Sequence, residues 1–354
     1  MSGGVDSSVA AALLVAEGHE VTGATLKLWG GPSDSGCCSV ADVDDARRVA
    51  QQVGIDHHVF NLAEEFEASV VDPYVTAHAE GLTPNPCIEC NRHIKFDRLT
   101  ARARRLGFDA LATGHHARVA SPRPGGTARR LLRGVDPAKD QSYVLSMLGQ
   151  DDLVGLCFPV GHLTKSEVRR RAAELGLRTA DKPDSQDVCF IHGSEGRAGF
   201  LGRRLQLHPA PVTDRETGET VGAVDAVELV TVGQRRGMGH GTDGRRRYVV
   251  SVDVAGRRVL AGSAEDAATT EVRLSASTVT WVAEALPAGA AAVAQVSAHG
   301  VPVPCVYDRD AAGPVVRFAV RQRPVAPGQT VALYDAADPD SVVGAGIVCR
   351  PADR

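Results

Sequence analysis

The sequence predicts an α/β domain built on a doubly wound parallel sheet, followed by a small central domain and a C-terminal β-barrel. Three observations predict it. Residues 1–192 alternate helical periodicity with short apolar strand runs, the pattern of repeated βαβ units. From Gly193 to Gly262 the helical signal gives way to short strands and glycine turns, ending in the hairpin-like RYVVSVDVAGRRVLAG. From Thr269 onward, Val-rich strands punctuated by Gly and Pro, as in GPVVRFAVRQRPVAPGQTVALYD, read as a small all-β barrel. The corresponding domain boundaries are 1–192, 193–264 and 265–354.

The elements follow in order. The chain opens MSGGVDSSVAAALLVAEGHEV. Ser2, Gly3 and Gly4 leave the backbone without bulk, so its N–H groups can approach an anion, and Ser7 and Ser8 add hydroxyl donors. A helix follows with Val9, Leu13 and Leu14 on one face and Gly18 as its stop, then the strand VTGATLKLW. A glycine loop opening a helix favours an anion through orphan N–H groups and the helix dipole. It is neither a Walker A loop nor GxGxxG, and a Gly-Gly pair before a helix is also an ordinary turn. Beyond it lie a helix over Val43–Val53, the strand HHVFNL, the helix RHIKFDRLTARARRLG and the strand ALATG. The helix KSEVRRRAAELG begins at Thr164, with Glu167 in capping-box relation, and ends on Gly176.

Composition bounds the function. At 354 residues and 43% apolar content the chain supports two or three globular domains. No apolar run approaches the ~20 residues of a membrane span and no signal peptide is evident, so a cytosolic protein with mostly reduced cysteines is expected. Net charge is −4, with 34 arginines and only five lysines. The charge is uneven: Arg92 to Arg133 holds eleven basic residues against two acids, while Asp34 to Glu80 holds ten acids against Arg47 and Arg48. The basic stretch is either a phosphate-binding path or a solvated surface.

Eight cysteines are present. Cys87 and Cys90 form a C-x-x-C in TPNPCIECNRHIKF, and Cys189 stands in KPDSQDVCFI. The C-x-x-C alone is a redox pair, half a zinc site or two small buried residues. Cys157, Cys305 and Cys349 read as core, and Cys37 and Cys38 as exposed loop thiols of no fixed role.

SGGVDSS resembles the PP-loop of the ATP pyrophosphatase superfamily, which splits ATP to AMP and pyrophosphate and adenylates a carbonyl oxygen. With TPNPCIECNRHIKF, LATGHHARV, KDQSYVL, FPVGHLTKSEVR, DSQDVCFI, VGQRRGMG and VAPGQTVALYD in this order, the whole chain is similar to the tRNA-specific 2-thiouridylase family. That resemblance implies a PP-loop domain, a central domain and a β-barrel. It also implies a hydrophobic strand ahead of the loop, which a chain starting at Met1 lacks. A truncated start is therefore expected, with exposed apolar neighbours as its cost.

The resemblance further implies ATP-dependent 2-thiolation of the wobble uridine of tRNA. Ser2, Gly3, Gly4, Val5, Asp6, Ser7, Leu26 and Gly114 would bind ATP, and Asp6 would help place Mg2+. Cys189 would carry a persulfide from a donor such as a cysteine desulfurase or relay protein, and Cys90 would complete its release. Asn85, Pro86 and Cys87 would surround the target base, Lys139, Asp140 and Gln141 would contact tRNA, and His115 and Gln329 would matter for activity. The chain departs from the family in two places. Cys87 replaces a common Asp, so three thiols could alternatively hold a [4Fe-4S] cluster. VSAHG at Val296–Gly300 replaces a common Arg-Tyr pair. Rival readings are a small-molecule PP-loop ligase of the GMP synthetase or argininosuccinate synthase type, and a C-x-x-C RNA-binding protein with a decayed ATP site.

Overall fold

The computed structural model describes residues 1–29, 40–184, 188–191, 195–241 and 243–350. Cys37, Cys38 and residues 185–187 of the DSQDVCFI motif lie outside the described residues.

Helix α1 (Val5–Ala16) starts on Gly4 and is stopped by Gly18, whose φ of +86° only glycine adopts cheaply. Its Val9 and Ala10 pack on Val49, Val168 and Ala172. Strand β1 (Thr22–Lys27) pairs in parallel with β2 (Asp56–Asn61), and α2 (Val40–Val53) lies between them in sequence. A second parallel pair joins β3 (Leu111–Ala112) to β6 (Leu156–Cys157). The parallel α/β organisation expected from the alternating pattern is present, divided among the described residues into these two pairs.

The basic helix is continuous from Pro86 to Arg105 but not uniform. A single α turn, Pro86–Glu89, widens into a π-helical stretch over Cys90–Leu99 and tightens again over Thr100–Arg105. Wide turns of this kind are rare and concentrate at functional sites.

Two strands of the N-terminal region join the C-terminal sheet. The hairpin β4 (Ala117–Ala120) and β5 (Arg130–Arg133) attaches to β17 (Ser341–Ile347) through Val342↔Leu131 and Ser341↔Leu132. No local signal announces that partnership, because it is formed between segments some 200 residues apart. The sheet runs β11 (Thr269–Arg273), β15 (Gly313–Gln322), β14 (Val303–Asp310), β13 (Ala290–Gln295), β16 (Thr330–Asp335), β17, β5, β4, with β12 (Thr280–Trp281) beside β17. A bridge at Leu274↔Val348 links the residues that follow β11 and β17, while the hydrogen-bonded path of this barrel-type sheet stays open.

Between these regions, β7 (Ala210–Asp214), β8 (Thr220–Val224), β9 (Tyr248–Asp253) and β10 (Arg258–Gly262) form the sheet β8-β7-β10-β9 over a Val-rich core. One apolar cluster is shared across the molecule. Ile88, Phe96, Tyr143 and Phe158 pack with Val282, Ala332, Tyr334 and Val342. Burial on that scale, about 25 cal/mol per Å2 of apolar surface, fixes the C-terminal sheet against the helix carrying Cys90.

Candidate functional site

The glycine loop and the start of α1 form the first half of the site. Gly3 takes φ +67°, and a Cβ there would lie 2.4 Å from the Asp42 carbonyl oxygen, so only glycine lets α2 come this close. Gly4 caps α1 without a side-chain hydrogen bond to the first turn, leaving the helix N-terminus available to an anion. The Ser2 amide donates to Ser7 Oγ at 3.1 Å, and Ser7 Oγ donates to the Gly4 carbonyl at 3.1 Å. Gly114 closes this half: a Cβ on it would sit 2.6 Å from Asp6 C and Ser7 N. The expected ATP residues Ser2 to Ser7 and Gly114 are thus brought together, at the carboxyl end of β3, where α/β sheets hold their ligands.

An ionic network surrounds Asp6. Lys165 Nζ lies 2.7 Å from both Asp6 carboxylate oxygens and 2.8 Å from Asp184. Lys139 and Arg169 also reach Asp184, at 2.8 and 3.1 Å, and His116 Nε2 lies 3.2 Å from Asp6 Oδ1. Burial raises the Asp6 carboxyl, but hydrogen bonds from His116 and Lys165 outweigh it and hold the group below its ordinary pKa. Burial likewise opposes ionisation of Asp184, yet Lys139 and Lys165 bring it down to about 2. Lys182 bridges Asp42 and Asp45 at 2.6 and 2.7 Å. Sequence reasoning missed His116, Lys165, Asp184 and Lys182. A signal was available: three of only five lysines, in a chain that elsewhere uses arginine, converge here.

The second half of the site is the region of the expected cysteines. Asn85 caps the Pro86–Glu89 turn by accepting from the Cys87 amide at 3.1 Å, and Pro86 occupies the first helical position, where its missing N–H costs nothing. Cys87 is exposed and Cys90 buried. Cys90 packs in a cluster with Phe66, Ile94, Phe190 and Phe200, and Leu26, Trp29 and Cys189 pack against that same cluster. The two thiols expected to act together, and Leu26, expected beside the base of ATP, therefore share one apolar wall. Elsewhere, burial pushes the Cys305 thiol up to about 12 and raises Cys157, as core cysteines require. Among the described residues no group of three His, Cys, Asp or Glu side chains is placed to hold a metal ion.

Other expected residues are found in inward-facing roles. His115 is buried between Phe96 and Phe158, its Nδ1 2.6 Å from Thr113 Oγ1, and burial holds its pKa well below 6.5 with Lys95 adding to the effect. The neighbouring His116, not His115, reaches the loop. Lys139 binds Asp184, as above. Asp140 accepts from Arg133, the Gly134 and Ser142 amides and Ser142 Oγ, and Gln141 Oε1 accepts from the His116 amide. Gln329 donates from Nε2 to the Thr83 carbonyl at 3.1 Å, tying the C-terminal sheet to the segment that leads into Asn85.

The C-terminal part of the basic stretch is partly neutralised within the chain. Arg118 pairs with Asp340, Arg123 with Asp335 and Asp338, Arg130 with Asp338, and Arg133 with Asp140. Arg102 stacks over Phe60, and Arg104 donates to the carbonyls of Asp151 and Val154. A cleft of about 490 Å3 opens beside it, lined by Arg92, His93, Asp97, Arg104, Met147 and Asp151, away from the glycine loop.

Against known proteins, residues 1–193 match a tRNA methyl transferase HUP domain, 198–263 a tRNA methyl transferase PRC-barrel domain, and 271–348 an aminomethyltransferase beta-barrel domain. The tRNA-specific 2-thiouridylase MnmA of Roseiflexus castenholzii is 47% identical over 99% of this chain and 98% of its own. This chain belongs to that family. Its MnmA relatives in Frankia casuarinae and Chloroflexus aurantiacus are 46% and 44% identical, over 98% and 99% of this chain and 96% and 97% of theirs. The thiouridylase family supplies the context for both halves of the site: a HUP domain with its glycine loop, and a pair of cysteines on one wall. Among the described residues no helix is long and apolar enough to cross a membrane.

Proposed function

We propose that this chain is an ATP-dependent tRNA sulfurtransferase that replaces the 2-carbonyl oxygen of the wobble uridine by sulfur. The observation that carries this reading is the pairing of an uncapped α1 N-terminus under Gly114 with Cys90 and Cys189 on one apolar wall. A PP-loop ligase acting on small molecules would leave those thiols and the C-terminal sheet without employment.

A carbonyl oxygen is a poor leaving group, so activation comes first. The α1 N-terminus, Ser2, Gly3, Gly4, Val5 and Ser7 would hold the triphosphate, with Leu26 beside the base. Asp6 would hold Mg2+, which offsets phosphate charge when bound. Lys165, within reach of Asp6 and Asp184, would turn its ammonium toward the pyrophosphate. The uridine 2-oxygen attacks the α-phosphorus, and pyrophosphate leaves.

Sulfur transfer follows. The terminal sulfur of a Cys189 persulfide attacks C2, and AMP leaves with the former carbonyl oxygen. The Cys90 thiolate then attacks Cys189 Sγ; the S–S bond breaks, its electron pair goes to the sulfur on C2, and a Cys90–Cys189 disulfide forms. An external thiol reductant resets that disulfide with two electrons. A protein donor, a desulfurase or a relay carrier, would recharge Cys189. Asn85, Pro86 and Cys87 would line the place of the extruded base, at an unstacking cost of a few kcal/mol.

The test is a cysteine series prepared without oxygen. Cys189→Ser and Cys90→Ser should each stop thiolation yet still release pyrophosphate in the presence of tRNA. Cys87→Ser should retain most thiolation, since no step needs a third thiol. Loss of pyrophosphate release in the first two variants, or an inactive Cys87→Ser, would refute this order of steps.

A further inference from the structure

The motif VGQRRGMG has no part in the steps above, and its placement gives it one. Gly233 adopts φ +85°, and a Cβ there would meet Pro324 Cγ at 3.0 Å, so the glycine turn of the central sheet lies directly on the segment that follows β15. Arg235 and Arg236 leave that contact on one side, and Arg321 and Arg323 approach it on the other; all four are exposed. At ~3.3–3.6 Å per residue, the four positions lie within roughly 30 Å of one another even at full extension.

None of the four has an acidic partner within ion-pair distance among the described residues, unlike most arginines of the adjoining sheet. Arg273 pairs with Asp310, Arg317 with Glu271, Asp308 and Asp310, and the β4–β5 hairpin arginines pair with acids as described above. The acids that pair with the neighbouring sheet arginines leave this group unmatched.

The group also has an address. The short segment from Pro324 ends on the catalytic loop: the Thr83 amide donates to the Pro327 carbonyl at 2.8 Å, Gln329 returns a bond to the Thr83 carbonyl, and a Cβ on Gly328 would lie 2.8 Å from Thr83 N. Two residues beyond Thr83 begin Asn85, Pro86 and Cys87.

We propose that Arg235, Arg236, Arg321 and Arg323 form a phosphate-binding surface, shared by the central and C-terminal sheets, that holds the backbone of the substrate RNA beside the catalytic loop. Guanidinium forks suit phosphate oxygens, and unpaired charge at this density suits a polyanion. This inference rests on the tRNA reading above.

The experiment is the salt dependence of binding to unmodified tRNA transcripts, for wild type, R235Q/R236Q, R321Q/R323Q and the combined variant. A charge control is R170Q/R203Q, whose arginines are paired with Glu174 and Glu195. Each lost phosphate contact should flatten the log–log slope by ~0.7–0.9, so the combined variant should lose about 3 and bind roughly tenfold or more weakly near 0.1 M salt. Thermal midpoints and the control's slope should stay at wild-type values. A combined variant with the wild-type slope overturns the proposal. So does a variant that binds tRNA normally but no longer accepts sulfur from a protein donor, because the surface then serves that protein. If wild type shows no salt-dependent tRNA binding at all, the tRNA reading itself falls and takes this surface with it.

Discussion

In the proposed site Lys165 depends on position as well as charge. Its ammonium is nearly buried and meets three carboxylate oxygens, two on Asp6 and one on Asp184, all within 2.8 Å. A planar guanidinium on a longer stem cannot make those contacts from the same Cα. Lys165→Arg should therefore keep the charge and lose the geometry, lowering tRNA-dependent pyrophosphate release by about 10²-fold at an unchanged thermal midpoint. A near-wild-type rate would assign the lysine to surface charge alone. Gly114→Ala acts on the same contact from the other side. Its methyl would fall 2.6 Å from main-chain atoms of Asp6 and Ser7, which cannot swing aside as a side chain can. Pyrophosphate release should drop at least about tenfold, and an ATP titration that matches wild type would remove Gly114 from the nucleotide site.

Among elements, the turn Pro327–Gln329 decides how the C-terminal sheet meets the chemistry. It contacts Thr83 through two hydrogen bonds, and Gly328 adopts φ +89° at the point of closest approach. Beyond Thr83 the chain turns through the Asn85 cap into the helix bearing Cys90. Gln329→Ala removes one bond, worth about 1 kcal/mol net, so the fold should persist. The expected result is slower sulfur transfer with pyrophosphate release largely retained, because the loop proposed to present the base loses one anchor while the Asp6 network does not. Equal losses in both steps would show that the turn supports the fold as a whole.

Across the whole molecule, the N-terminal region and the central sheet meet at a buried histidine. His78 is 2% exposed, donates from Nδ1 to the Glu228 carbonyl at 3.1 Å, and stacks edge-on against Tyr74. Burial takes its pKa from 6.5 to about 4, partly opposed by the bond to Glu228 and reinforced by Arg197. The unfolded chain thus takes up this proton first. The stability is intact above pH 6.5 and is lost as the pH falls toward 4, by about 3 kcal/mol at the acid end. Thermal midpoints measured from pH 7 to 4 should decline in wild type, and His78→Gln should decline less over that window. Parallel curves for the two proteins would place the acid sensitivity elsewhere.

The sequence by itself determined whatever depends on neighbours along the chain. Although the thiol helix begins at Pro86, ahead of the expected start at Arg92, the Gly18 and Gly176 stops, the Thr164–Glu167 capping box and the alternation that builds a parallel α/β region all stand as read. So does family membership, since eight motifs in order survive any uncertainty about one. Only the tertiary structure decided what depends on segments meeting from afar. The β4–β5 hairpin joins the C-terminal sheet, Asp184 and Lys165 close around Asp6, and His116 replaces its neighbour as the residue facing the loop. The basic stretch shows the difference most plainly. Counting charges between Arg92 and Arg133 finds a strong positive balance, but Asp335, Asp338 and Asp340 are some 200 residues away in sequence and less than 3.5 Å away in space. Coulomb attraction depends on distance through space, so a linear count cannot say which charges remain for a ligand.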